Sequence, residues 1–109
     1  MRFAATRRSG DDLYISGLII GRRPDEGRDE AALREQVRRG FARMQRLLAA
    51  NGLDFAHVSK INSYHLWDSA DFAGGKDAQF RIVSEVLGEF AARPYPAWTA
   101  VGTTALLGR

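Results

Sequence analysis

Ser63 and His65 stand two residues apart, the spacing that puts a hydroxyl and an imidazole on the same face of an extended segment. A serine beside a histidine is the beginning of a nucleophile-and-base pair, but a working triad needs a third group to orient the imidazole. No neighbour in the sequence supplies one. His57 is the other histidine of the chain and falls in the loop before that segment. Neither histidine has metal-ligand spacing with a carboxylate, so no metal site is expected. There is no cysteine, which excludes disulfides, thiol nucleophiles and thiolate metal sites. Gly74-Gly75-Lys76 departs from the full phosphate-loop pattern and does not directly follow a strand. No cofactor motif is found.

Arginine dominates the charge. The chain of 109 residues carries a formal net charge of +3, with Lys60 and Lys76 its only lysines. Arginines 34, 38, 39, 43 and 46 form a basic stripe along one segment, and Glu30 and Glu35 each precede an arginine by four. Pairs at that spacing support an exposed helix, so a solvated helix face accounts for the stripe. A single-stranded nucleic acid site would interleave aromatic residues with the basic ones, and only Phe41 and Met44 lie nearby, on the apolar side. Nucleic acid is therefore disfavoured as a partner, and RNA binding stays as a minor alternative. No apolar run approaches the roughly 18 residues that cross a bilayer, and the N-terminal residues carry no apolar leader. The expected location is the cytoplasm, with no membrane partner.

A chain of this length makes one domain with a thin core, for which oligomerisation is a source of further burial. Leu13 to Gly21 is rich in β-branched and aromatic residues and predicts a strand. Arg2 to Arg7 predicts a short strand before it, joined through a turn at Ser9-Gly10-Asp11-Asp12. From Ala31 to Ala50, the positions Leu33, Val37, Phe41, Met44, Leu47 and Leu48 define one face of an amphipathic helix. Asp29 is its expected N-cap, and Asn51-Gly52 its stop, with the glycine left-handed. Val58 to Trp67 predicts a strand with two mixed faces, which suits a strand meeting another subunit or a wet pocket. Phe72 opens a second helical region weakened in its first turn by Gly74-Gly75, where Gln79, Ile82, Val83, Val86, Leu87 and Phe90 keep helical spacing. Arg93-Pro94-Tyr95-Pro96 ends it, and Ala97 to Gly102 predicts a third major strand. Alternation of this kind implies helices packed on a sheet.

Several of these segments, in this order, resemble the RidA/YjgF family. Leu13-Tyr14-Ile15-Ser16-Gly17 resembles that family's opening "SGQ" strand, and Ala49-Ala50-Asn51-Gly52-Leu53 its "LEAAGL" helix stop. Val58-Ser59-Lys60-Ile61-Asn62-Ser63-Tyr64 is similar to "VVKTTVY", Asp71-Phe72-Ala73 to "DFA", and Pro96-Ala97-Trp98-Thr99-Ala100-Val101 falls where most members carry "PARS.V". The resemblance covers nearly the whole chain. It implies an α/β (α+β) fold like that of Bacillus chorismate mutase, a mixed β-sheet with two helices on one face. It also implies a homotrimer with ligand clefts between subunits. One RidA-like domain over residues 1–109 is expected. The family's last strand, typically "LVEIEA", would lie beyond Arg109, and an unpaired interior sheet edge would leave a chain ending there poorly stable.

The resemblance further implies a small-molecule ligand and hydrolysis of an enamine, imine or related C–N bond. In members with that activity the arginine of "PARS" grips a carboxylate, and a glutamate on the last strand positions water. Here Trp98 stands at the arginine position, and the glutamate would lie beyond Arg109, so no catalytic residue is assigned. Trp98 offers a stackable face and one N–H donor, which suits a larger, aromatic or less anionic ligand; packing at a subunit interface is its structural alternative. Thr99 and Ala100 are expected to give backbone contacts beside it, and Phe3, Ser16 and Gly17 to line or edge the pocket. Phe3 serves equally as a first-strand core residue. For Ser16 and Gly17 the structural reading is preferred, the glycine letting backbones approach closely. Arg2, Arg7 and Arg93 are candidates for the missing charge. The leading expectation is an enamine/imine deaminase-like hydrolase; a non-catalytic metabolite-binding or protein-shielding homologue is the first alternative, and an endoribonuclease-like protein the second.

Overall fold

The computed structural model describes residues 5–66 and 70–103. Strands β1 (Thr6–Ser9) and β2 (Asp12–Ile15) form an antiparallel hairpin in which Thr6 faces Ile15 and Ser9 faces Asp12. Gly10 sits at the turn with φ of 58°, a left-handed conformation that glycine adopts without steric cost. The first strand runs on past its expected end to Ser9, and positions 2–4 of the expected span lie outside the described residues; the second stops at Ile15 although residues 16–20 are just as apolar. Propensity alone does not make a strand. Residues 16–20 find no ladder partner among the described residues, and the segment instead crosses the first helix at Gly40. A Cβ on Gly40 would lie 2.6 Å from the Ile20 side chain, so the glycine is what permits this crossing.

Helix α1 spans Glu30–Ala50, as its periodicity predicts. The Asp29 carboxylate accepts a hydrogen bond from the Ala32 N–H at 2.9 Å, satisfying one orphan donor of the first turn. The helix ends at Asn51, and Gly52 follows with φ of 73°. Val37, Phe41 and Leu48 are buried, with Leu33 and Met44 packed against them. Gln36 is also buried, although it lies off the apolar stripe.

After a 3-10 turn at Phe55–His57, strand β3 runs Lys60–Leu66, helix α2 Lys76–Phe90 and strand β4 Ala97–Thr103. β3 and β4 pair in parallel, with Ile61 opposite Trp98 and Ser63 opposite Ala100. Parallel strands need a long crossover, and α2 is that crossover. Helix α2 starts four residues later than expected: Phe72 does not open it but turns into the core, and Gly75 caps it. Glycine is a poor helix former, and a Cβ on Gly74 would lie 2.4 Å from the Phe72 ring, so residues 72–75 form a tight approach instead of a first turn. The core lies where α1 and α2 pack on each other and on one face of the β3–β4 pair. Ile82 and Val86 are fully buried there, and the rings of Phe41, Phe55 and Phe90 cluster with centroids 5.7–6.2 Å apart. The described strands thus form two small sheets, the hairpin and the parallel pair, with both helices against the latter.

The arginine stripe of α1 is used differently from the intrahelical pairing that its spacing suggests. Arg34 bonds Glu85, Arg38 bonds Glu89 and Glu35, and Arg81 bonds Glu30, so the charges lace α1 to α2. Long guanidinium side chains reach the neighbouring helix because the two helices pack side by side. Arg39 turns the other way, holding Glu26 and the Gly21 carbonyl and so fastening the loop before α1.

That clamp has a pH signature. Hydrogen bonds from Arg39 and the Arg23 N–H hold the Glu26 carboxyl at about 2, below its ordinary 4.5. A carboxyl lowered on folding favours the folded state when ionised, so its contribution is whole above the ordinary value and fades as pH falls toward about 2. Acid titration of unfolding should show wild type more stable than Glu26→Gln at pH 6, with the gap closing by pH 2. A gap independent of pH would contradict it.

Candidate functional site

β3 and β4 turn alternate residues toward the helices. On the helix side lie Ile61, Ser63 and His65 of β3 and Trp98 and Ala100 of β4, while Asn62, Tyr64, Thr99 and Val101 are exposed on the far side. Register then brings Trp98 beside Ser63 and Ser63 beside His65. The Trp98 Nε1–H donates to Ser63 Oγ at 2.6 Å, and Ser63 Oγ lies 2.7 Å from His65 Nε2. His65 and Gln79, each 8% exposed, are buried together. Gln79 hydrogen-bonds the imidazole and donates from Nε2 to the Leu66 carbonyl at 2.9 Å. Burial pushes the His65 imidazole below its ordinary value, opposed in part by the Gln79 bond. The third group that the Ser63–His65 pair lacks in sequence is therefore Gln79, contributed by a helix.

Trp98 is held from a second side. Its ring stacks on Phe80 of α2 with centroids 4.8 Å apart and planes 6° from parallel, a geometry that adds about 0.5–1.5 kcal/mol beyond simple burial. The rest of the indole borders a cleft of about 280 Å³ lined by Ser84, Leu87, Gly88, Tyr95, Pro96 and Trp98. Among the described residues no charged side chain lines it. Its size falls near the lower end of small-molecule sites, which run from roughly 300 Å³. The Trp98 indole gives this cleft an aromatic wall.

The sequence-expected residues are distributed as follows. Trp98 lines the cleft. Ala100 is on the same strand face, two residues on, whereas the Thr99 side chain points to the opposite face, leaving its backbone as the part nearest Trp98. Ser16 is tied to the hairpin, its N–H and hydroxyl both donating to the Ala5 carbonyl. The hairpin belongs to a different sheet from Trp98. Gly17 has no described atom within 4 Å of where a Cβ would sit, whereas Gly40 and Gly74 each lie close to a neighbouring side chain. Phe3 and Arg2 lie outside the described residues. Arg7 is exposed in β1, and Arg93 is exposed two residues before Tyr95. Among the described residues no group of three or more metal-ligating side chains gathers, and no helix is long and apolar enough to cross a membrane.

Sequence reading misses Gln79 and Phe80 as parts of the site. The signals are present: Gln79 is polar on the apolar stripe of α2, and Phe80 is a large apolar residue off it, 47% exposed. A buried polar and an exposed aromatic residue are both departures that ask for a partner.

A family profile described as Endoribonuclease L-PSP matches residues 2–108. The chain is 37% identical over 108 residues to the RutC family protein YjgH of Escherichia coli K12, covering 98% of this chain and 75% of that one. The chain belongs to the RidA/YjgF family. Its fold agrees with solved RidA/YjgF structures, which have the chorismate mutase-like architecture. The structure of protein YjgH superposes with a TM-score of 0.71 at 36% identity, covering 97% of this chain and 75% of that one. RidA from the Antarctic bacterium Psychrobacter sp. PAMC 21119 superposes at 0.65 with 26% identity, covering 97% and 78%. In a RidA/YjgF chain the Trp98 position is where the sequence resemblance leads one to expect a carboxylate-gripping arginine. The structure places a stacked, hydrogen-bonded indole there.

Proposed function

We propose that this RidA/YjgF protein binds a small metabolite at the cleft beside Trp98 as a homotrimer in the cytoplasm, and hydrolyses a reactive enamine or imine that carries an aromatic or otherwise planar uncharged group. The observation that carries the reading is the Trp98 indole, pinned by Phe80 and Ser63 against a cleft whose described lining holds no charged side chain. An aromatic wall with apolar neighbours favours stacking and burial of a ring over the bidentate capture of a carboxylate, which needs a guanidinium fork. In the reaction, water adds to the C=N carbon, the nitrogen takes a proton, and the adduct collapses to a carbonyl compound and ammonia. Subunit association is supported by the exposed far face of the parallel pair, where Tyr64 and Val101 stand open.

The endoribonuclease reading attaches to the description of the family profile. It gains little from the α1 stripe, because Arg34, Arg38 and Arg39 are already bound to carboxylates.

The test is hydrolysis of 2-imino acids generated in place by an amino-acid oxidase, comparing the imines of phenylalanine and alanine. The expected result is acceleration over buffer that is at least about tenfold larger for the phenylalanine imine, the factor that 1.4 kcal/mol of ring binding gives. Equal or greater acceleration for the alanine imine would contradict the aromatic preference. No acceleration of either, from a folded trimer, would leave a non-catalytic binding protein.

A further inference from the structure

Ser63, His65, Gln79 and Trp98 form a hydrogen-bonded run whose direction is set at its two ends, by the Trp98 indole and by the Leu66 carbonyl. Trp98 Nε1–H is a donor only, so Ser63 Oγ accepts from it at 2.6 Å. The Ser63 hydroxyl proton is then available to His65 Nε2, 2.7 Å away. Gln79 gives its amide N–H to the Leu66 carbonyl at 2.9 Å. Gln79 also hydrogen-bonds the imidazole, in a sense that favours its protonated form. Removing any one of these groups would leave its neighbour without a partner in a largely buried place, at a cost that buried polar groups avoid. The run begins at the Leu66 backbone, which is itself part of β3, and ends on the indole that walls the cleft.

We propose that Ser63, His65 and Gln79 are positioning residues that set the plane of the Trp98 indole and keep its N–H from the ligand, making the cleft selective for groups that stack and bury rather than for hydrogen-bond acceptors. This rests on the reading of the cleft as the binding site. Phe80 contributes the other constraint, since a ring stacked on one face and bonded at its N–H has no remaining freedom to rotate about its side-chain bonds. The N–H donor that sequence alone assigns to a ligand is consumed inside the protein.

The experiment uses the full chain in a Trp67→Phe background, so that the indole N–H resonance of Trp98 stands alone in a nitrogen–proton correlation spectrum. Ser63→Ala is expected to move that resonance upfield and speed its exchange with solvent. Gln79→Leu, which removes the partner orienting His65, should move it part-way, and Ser63→Thr, which keeps the hydroxyl, should restore it. Indole, a neutral probe, should bind about threefold to tenfold more weakly to Ser63→Ala than to the parent, the range expected from one hydrogen bond, and within twofold of the parent for Ser63→Thr. Thermal unfolding of each variant separates these effects from loss of fold. An indole resonance unmoved by Ser63→Ala would overturn the proposal, and so would a moved resonance with unchanged indole affinity. Failure of the parent to bind indole would overturn the cleft reading, while the resonance in the unliganded protein still decides whether the positioning run exists.

Discussion

Trp98→Ala is expected to abolish measurable stacking at the cleft and to weaken indole binding at least tenfold, the factor carried by about 1.4 kcal/mol. Three things leave with the ring: the wall of the cleft, the parallel stack on Phe80, and the indole N–H that donates to the Ser63 hydroxyl. Stability should fall as well, by about 2 kcal/mol, less than the 3–5 kcal/mol typical of a fully buried tryptophan because this one is half-buried. Trp98→Phe separates the two effects. A phenyl ring keeps a stackable face and gives up the N–H, so it should recover most of the stability and part of the affinity. Calorimetric titration with indole, paired with thermal unfolding, reads both quantities. Undiminished indole binding by folded Trp98→Ala would remove Trp98 from the site.

The largest stability loss is expected from Ile82→Ala. Ile82 is 0% exposed, on the face of α2 that meets α1 and the parallel strands. Its truncation removes three carbon atoms where neighbours cannot collapse freely, costing about 3 kcal/mol within the 2–5 kcal/mol range of such changes. Against a total of about 5–15 kcal/mol for a domain, that is a substantial share, and a midpoint more than 10 °C lower is expected at about 4–8 °C per kcal/mol. A decrease of under about 1 kcal/mol in denaturant unfolding would show that the α1–α2 packing is not the centre of the core.

Helix α1 is legible because local and tertiary signals agree: Asp29 caps it, Gly52 closes it, and its apolar stripe is the face that is buried. The errors fall where tertiary partners decide. Residues 16–20 have strand composition and no ladder partner among the described residues. Phe72 has helical spacing but precedes two glycines and fills the core from a loop. The arginines of α1 pair across to α2 because that helix lies alongside, which no spacing within α1 announces. Likewise the Ser63–His65 pair is visible in the strand pattern, while Gln79 sits 14 residues further on and becomes its partner only through the crossover that packs α2 on β3. Family resemblance locates Trp98, and only the packed structure shows that its N–H is spent on Ser63 and one of its faces on Phe80.

The most direct measurement of the central claim is chemical-shift mapping of the full chain titrated with indole. Saturable shifts concentrated at Ser84, Gly88, Tyr95 and the Trp98 indole N–H, with Phe80 following, are the predicted result. Shifts absent there, or centred on the hairpin around Ser16 and Gly17, would contradict the assignment of the Trp98 cleft as the binding site.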